Sequence, residues 1–138
     1  MENILENISL KEYTTFKIGG LAKFFVKAET ISDLLKALNW AKSKKEKIFI
    51  LGGGSNLLIS DNGFDGLVIF IPFNGWKDEK KENQNIYTQN SRVFIDAGIS
   101  FSKVIAFSLQ NNLSGLEWGV GIPGTIGGAI RGNSGAFG

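Results

Sequence analysis

Two glycine clusters are the residues of this chain best suited to chemistry. Residues 51–56 read LGGGSN directly after an apolar run, and residues 115–138 read GLEWGVGIPGTIGGAIRGNSGAFG, holding nine of the eighteen glycines. Glycine tolerates positive φ and carries no side chain that would hold a ligand away from the backbone. Turns built this way expose backbone N–H groups in concavities that suit phosphate. In the first cluster the amides of Gly53, Gly54, Ser55 and Asn56 can point at an anion, with the Ser55 and Asn56 side chains as further donors. The plainer alternative is a tight turn between strands, although three consecutive glycines are costly in unfolded-state entropy for a turn alone. In the second cluster Pro123 fixes a turn and Gly127-Gly128 permits close backbone approach. A short helix can begin there with its N-terminal amides facing a phosphate or the polar edge of a cofactor ring. A tightly packed glycine turn in the core is the alternative. Together the clusters imply a nucleotide-type cofactor.

Neither cluster fits the best-known nucleotide motifs. Residues 119–124 formally match G-x-G-x-x-G, but that fingerprint should follow a strand and open a βαβ unit, with an acidic residue about 20 positions on. Here it follows a helix and a loop and contains Pro123. LGGGSN is not followed by Gly-Lys-Ser/Thr, which excludes a Walker loop. The chain has no histidine and no cysteine. Disulfides, thiolate or imidazole metal sites, and Ser-His-Asp or Cys-His mechanisms are therefore not expected from it. A net charge of +2 is too small to argue for nucleic acid. The N-terminus lacks a secretory signal, and no apolar run approaches membrane-spanning length.

The elements that must position the glycines are legible in outline. Residues 22–27 (AKFFVK) predict a strand. Thr30 with Asp33 predicts a capping box for a helix whose apolar face carries Leu34, Leu38 and Ala41, widened by Leu35 and Ala37. The lysine-rich residues 42–47 suit the end of that helix. Residues 48–51 predict a short strand buried on both faces, completing a βαβ unit. Strands are expected at 57–59 and 67–71 about a turn at Asp61-Asn62-Gly63, then an exposed polar loop at 74–85. Residues 86–88 and 92–97 predict a strand pair. Ser100 predicts the cap of a second helix with Phe101, Val104, Ile105 and Leu109 on its apolar face, ended by Asn111-Asn112. Phe24, Phe25, Trp40, Phe101 and Phe107 sit at core spacing. Trp118, Phe137 and Arg131 fit a packing or a ligand role equally well.

With these residues set out, the chain resembles the MurB family of UDP-N-acetylenolpyruvoylglucosamine reductases (UDP-N-acetylmuramate dehydrogenases), in its N-terminal part. The resemblance rests on residues 14–20 (TTFKIGG), 51–58 (LGGGSNLL), 96–98 with 114–117, and 121–138 (GIPGTIGGAIRGNSGAFG), in matching order and approximate spacing. It implies an α+β FAD-binding fold of the vanillyl-alcohol-oxidase (PCMH) type. A first lobe would span 1–72 and a second, incomplete lobe 73–138, with the substrate domain absent and the whole reading as the front part of a longer protein. It implies non-covalent FAD, NADPH as reductant and UDP-N-acetylenolpyruvoylglucosamine as substrate, in a cytoplasmic step of peptidoglycan synthesis, with no nucleic acid, membrane or metal involved.

Carried onto this sequence, the resemblance puts Gly52, Gly53, Gly54, Ser55 and Asn56 around the FAD pyrophosphate. Gly121, Ile122, Gly124, Thr125, Gly127 and Gly128 would line the other side of the cofactor, and Asn133 becomes a candidate for the flavin or substrate pocket. Gly132 and Phe137 depart from a methionine and a tyrosine that many members carry. The family's proton-donating serine, its catalytic arginine and its late glutamate are expected downstream of Gly138, so no catalytic residue is assigned. A different flavoprotein of the same fold and a non-catalytic flavin- or nucleotide-binding module are the competing expectations.

Overall fold

The computed structural model describes residues 3–72, 86–89 and 92–136. Strands β1 (Leu5–Ser9), β2 (Leu21–Lys27), β3 (Ile48–Leu51) and β4 (Phe64–Phe70) form one sheet in the order β1-β2-β4-β3. β1 runs antiparallel to β2, while β2–β4 and β3–β4 are parallel. Parallel neighbours need crossovers, and helix α1 (Ile31–Lys44) supplies the one between β2 and β3. The strand–helix–strand unit is present, but β4 lies between its two strands.

That insertion corrects the expectation for β3. Among the described residues it is an edge strand: Leu51 is buried, whereas Ile48 and Ile50 are 42% and 47% exposed. An unbroken apolar run reports hydrophobicity, not the number of neighbouring strands. Residues 57–59, expected as a strand, form no ladder and run as irregular chain between β3 and β4. β1 and the 3-10 turn Leu10–Tyr13 carry no sequence signal that marked them out, yet Leu10 is among the most buried residues.

Both faces of the sheet are packed. On one, Val26, Ala28, Leu67 and Ile69 meet Ala37 and Ala41 of α1, with Phe24 edge-on to Trp40 at 5.0 Å. On the other, Leu10, Ala22, Phe25, Leu51 and Val68 pack with Tyr13, whose ring lies 4.6 Å from that of Phe25. α1 begins as expected: Thr30 Oγ1 accepts from the Asp33 N–H and Asp33 Oδ2 from the Thr30 N–H, each at 3.0 Å. It ends at Lys45 in the left-handed region, φ 57°. Thr30→Ala is expected to lower the unfolding free energy by about 1 kcal/mol, the usual cost of an N-cap, read as a shift in the urea midpoint. Lys23 bridges Glu46 at 2.8 Å and Asp65 at 3.4 Å. The hydrogen bond that Lys23 donates to Glu46 raises the Lys23 pKa above its ordinary value, opposed by partial desolvation.

The second part of the chain holds the antiparallel pair β5 (Ile86–Gln89) and β6 (Arg92–Ile95), then α2 (Phe101–Gln110), a 3-10 turn (Glu117–Gly119) and α3 (Ile126–Arg131). Ser100 caps α2, with its Oγ accepting from the Lys103 N–H at 3.4 Å. Asn111 closes the helix and Asn112 turns left-handed at φ 54°. Phe101, Val104 and Ile105 are buried as expected, but Leu109 is 62% exposed. Trp118 packs edge-on to Phe101 at 5.6 Å and is partly exposed. Phe137 and the loop at 74–85 lie outside the described residues. None of the described helices is long and apolar enough to cross a membrane.

Candidate functional site

The two glycine clusters, far apart in sequence, touch. β3 delivers residues 52–56 at its C-terminal end, and the chain from Gly121 to Thr125 comes in beside them. A Cβ placed on Gly52 would stand 2.8 Å from Thr125 Oγ1, and one placed on Gly124 would stand 2.7 Å from Ser55 Oγ. Neighbouring segments hold each cluster in place. The Thr15 N–H donates to the Gly54 carbonyl at 3.1 Å, and the Ile71 N–H to the Leu51 carbonyl at 2.8 Å. On the other side the Phe101 N–H donates to the Gly124 carbonyl at 3.0 Å, and the Ile126 N–H to the Ile99 carbonyl at 2.8 Å.

Backbone donors must be accounted for one by one. Among the described residues, the N–H groups of residues 52–56 donate to no protein acceptor, and neither do those of Gly121, Gly124 and Thr125. The start of α3 is different and corrects the expectation of amides left for a ligand. Its Ile126 and Gly127 N–H groups go to the Ile99 and Ala97 carbonyls, the Gly128 N–H to Thr125 Oγ1 at 3.2 Å, and the Ala129 N–H to the Thr125 carbonyl. The helix N-terminus is satisfied by its own chain.

The glycines divide by what they face. Gly54 sits at φ 65° against the Tyr13 carbonyl, so its lack of a side chain serves the fold. Gly127 lets α3 close on the 96–98 turn, since a Cβ there would stand 2.8 Å from the Ala97 Cβ. Gly119 likewise makes room for the Phe101 ring, which explains the first glycine of the G-x-G-x-x-G match without any ligand. Gly121 takes φ 86° with open space around it, while Gly128 has only Thr125 Oγ1 near, at 3.3 Å.

The remaining candidates are exposed. Asn133 is left-handed at φ 48°, directly after the C-cap Gly132 of α3, a place that asparagine fills well. Its N–H donates to the Ile130 carbonyl at 3.1 Å. Arg131 lies in the last turn of α3 and is solvent-exposed. Among the described residues no group of histidine, cysteine, aspartate or glutamate is placed to hold a metal ion. The supporting role of Tyr13 and Thr15 was not read from the sequence; the TTFKIGG segment was visible, but nothing local shows that it runs beneath the glycine turn.

A strand end carrying one glycine turn, met by a second glycine segment with unpaired amides, fits the class of domain that binds a phosphate-bearing cofactor. Residues 22–138 match the family described as FAD binding domain, and the chain belongs to that family. Its α+β fold matches a crystal structure of UDP-N-acetylenolpyruvylglucosamine reductase (MurB) from Thermus caldophilus, with a TM-score of 0.70 at 30% identity, over 95% of this chain and 42% of that one. Curated proteins named UDP-N-acetylenolpyruvoylglucosamine reductase are similar along nearly its whole length. The one from Clostridium novyi (strain NT) is 38% identical over 136 residues, which take in 99% of this chain and 41% of the relative. The one from Orientia tsutsugamushi (strain Ikeda) is 44% identical over 135 residues, with 96% and 42% covered. The chain thus spans about two fifths of the length of these relatives.

Proposed function

We propose that this chain is the FAD-holding part of a reductase that converts UDP-N-acetylenolpyruvoylglucosamine to UDP-N-acetylmuramate with NADPH, in cytoplasmic peptidoglycan synthesis serving cell-wall biogenesis, shape and division. The observation that carries the reading is the meeting of the two glycine segments, with the N–H groups of residues 52–56 and of Gly121, Gly124 and Thr125 donating to no acceptor among the described residues. Two rows of backbone donors on either side of a seam suit a pyrophosphate, which needs several hydrogen bonds and tolerates no intruding side chain. The FAD binding family match and the similarity to named reductases support the same reading.

In this reading Gly52, Gly53, Gly54, Ser55 and Asn56 hold the pyrophosphate from the β3 side. Gly121, Ile122, Gly124, Thr125, Gly127 and Gly128 line the opposite side, Gly127 through the packing that seats α3. Asn133 borders the flavin or substrate pocket. Residues 1–72 form the first lobe and 73–138 belong to the second. A flavin held there would supply the hydride-transfer chemistry that links NADPH to the enolpyruvyl double bond. The chain's own residues bind and orient it; the groups that protonate substrate carbon belong to protein outside these 138 residues.

The test is a titration of the purified chain with FAD, followed by flavin fluorescence. Saturable binding of one FAD per chain is the expected outcome, and acid precipitation should then release all of the yellow colour. With no histidine or cysteine in the chain, the usual covalent flavin attachment points are missing. Absence of saturable binding, or colour retained in the washed pellet, would count against the reading.

A further inference from the structure

We infer that Thr125 is a positioning residue that sets the gap between the two glycine segments, by lodging its hydroxyl over the bare backbone of Gly52. The inference rests on the FAD-binding reading and goes beyond it by giving the seam a mechanical part. Thr125 is 3% exposed. Its Oγ1 performs two tasks at once. It accepts the Gly128 N–H at 3.2 Å as the cap of α3, and it stands 2.8 Å from where a Gly52 side chain would begin. The contact has a reciprocal partner, since Ser55 Oγ stands 2.7 Å from where a Gly124 side chain would begin. Each segment thus presses one hydroxyl-bearing side chain onto a glycine of the other.

The two glycines differ in what they can reveal. Gly124 has φ 109°, so any side chain there is strained whatever surrounds it. Gly52 is not among the positive-φ glycines, so an alanine there meets only a steric obstacle, Thr125 Oγ1. Real Cβ atoms essentially never come as close as 2.8 Å, so something must shift. Turning the Thr125 hydroxyl aside would break the cap of α3, so residues 121–128 are expected to move away from residues 52–56 and the rows of donors to splay.

A double-mutant cycle separates this geometry from general fragility. Gly52→Ala alone is expected to weaken FAD binding by about tenfold. In a Thr125→Ala background, where the obstacle is gone, the same Gly52→Ala change should weaken it by less than about threefold. Thr125→Ser keeps the hydroxyl. It should recover most of the affinity that Thr125→Ala loses, and it should remain as intolerant of Gly52→Ala as the natural threonine.

Unfolding midpoints without FAD, measured on the same variants, read the contact independently of the cofactor and should show the same coupling. Equal effects of Gly52→Ala in both backgrounds, in titration and in unfolding, would overturn the inference. If the unmodified chain binds no FAD, the functional reading fails, and the inferred contact stands or falls on the unfolding cycle. Coupling in unfolding without coupling in affinity would leave Thr125 a structural residue only, and would overturn its positioning role.

Discussion

The 138-residue chain, supplied with FAD, NADPH and UDP-N-acetylenolpyruvoylglucosamine, is expected to show no substrate-dependent oxidation of NADPH. Reducing a carbon–carbon double bond requires hydride at one carbon and a proton at the other. The proton needs an acid within hydrogen-bond reach, about 2.6–3.2 Å, directly or through one water. Among the described residues, the hydroxyls at the glycine seam are already engaged in capping and packing. The chain has no histidine or cysteine, Thr125 Oγ1 caps α3, and Ser55 Oγ lies against Gly124. Glu117 accepts the Gly115 N–H at 2.7 Å, in the turn after α2. The chain spans about two fifths of the length of the reductases it matches, and on the proposed reading the proton donor lies in the part that it does not span. The control is a full-length relative assayed alongside. Turnover by the chain near that of the relative would show that its own residues include the proton donor.

Gly54→Ala is expected to be the most damaging single methyl in the first glycine cluster, and its damage should appear in folding before it appears in ligand affinity. At φ 65° a non-glycine residue costs about 1–3 kcal/mol. The new methyl would also drive into the Tyr13 carbonyl and come within 3.1 Å of Thr14 Cα, both fixed backbone. Overpacking of this kind typically adds about 1–3 kcal/mol. Against a total stability of about 5–15 kcal/mol, the sum is a large fraction. Gly121→Ala is the matched comparison, because it has positive φ at 86° but nothing within 4 Å. It should lose only the conformational part. Urea midpoints for the two variants decide the matter, and equal midpoints would mean that the Tyr13 contact yields without resistance.

Much of the scaffold could be read from local signals. The capping box at Thr30, the cap at Ser100, the Asn111-Asn112 stop and the turn at Asp61-Asn62-Gly63 each depend on a few adjacent side chains, so residue type was enough. What failed depended on partners distant in sequence. The position of β4 between β2 and β3 is a property of the sheet, and it alone makes Ile48 and Ile50 edge residues. The glycines of the candidate site were visible as a group but could not be sorted. Gly127 faces Ala97, Gly54 faces Tyr13 and Gly121 faces open space, and nothing in GGGSN or GIPGTIGG distinguishes them. The contact that makes their seam was likewise invisible, since it joins segments far apart in sequence.

The long separation between Gly52 and Thr125 also bears on the order of folding events. Residues 13–15, 52–56, 97–101 and 121–128 all converge on one place, so the seam closes only after the intervening chain has paid its loop entropy. Contacts of this kind are expected to form late. A ligand that seats across the seam should then slow unfolding more than it changes the rate of folding.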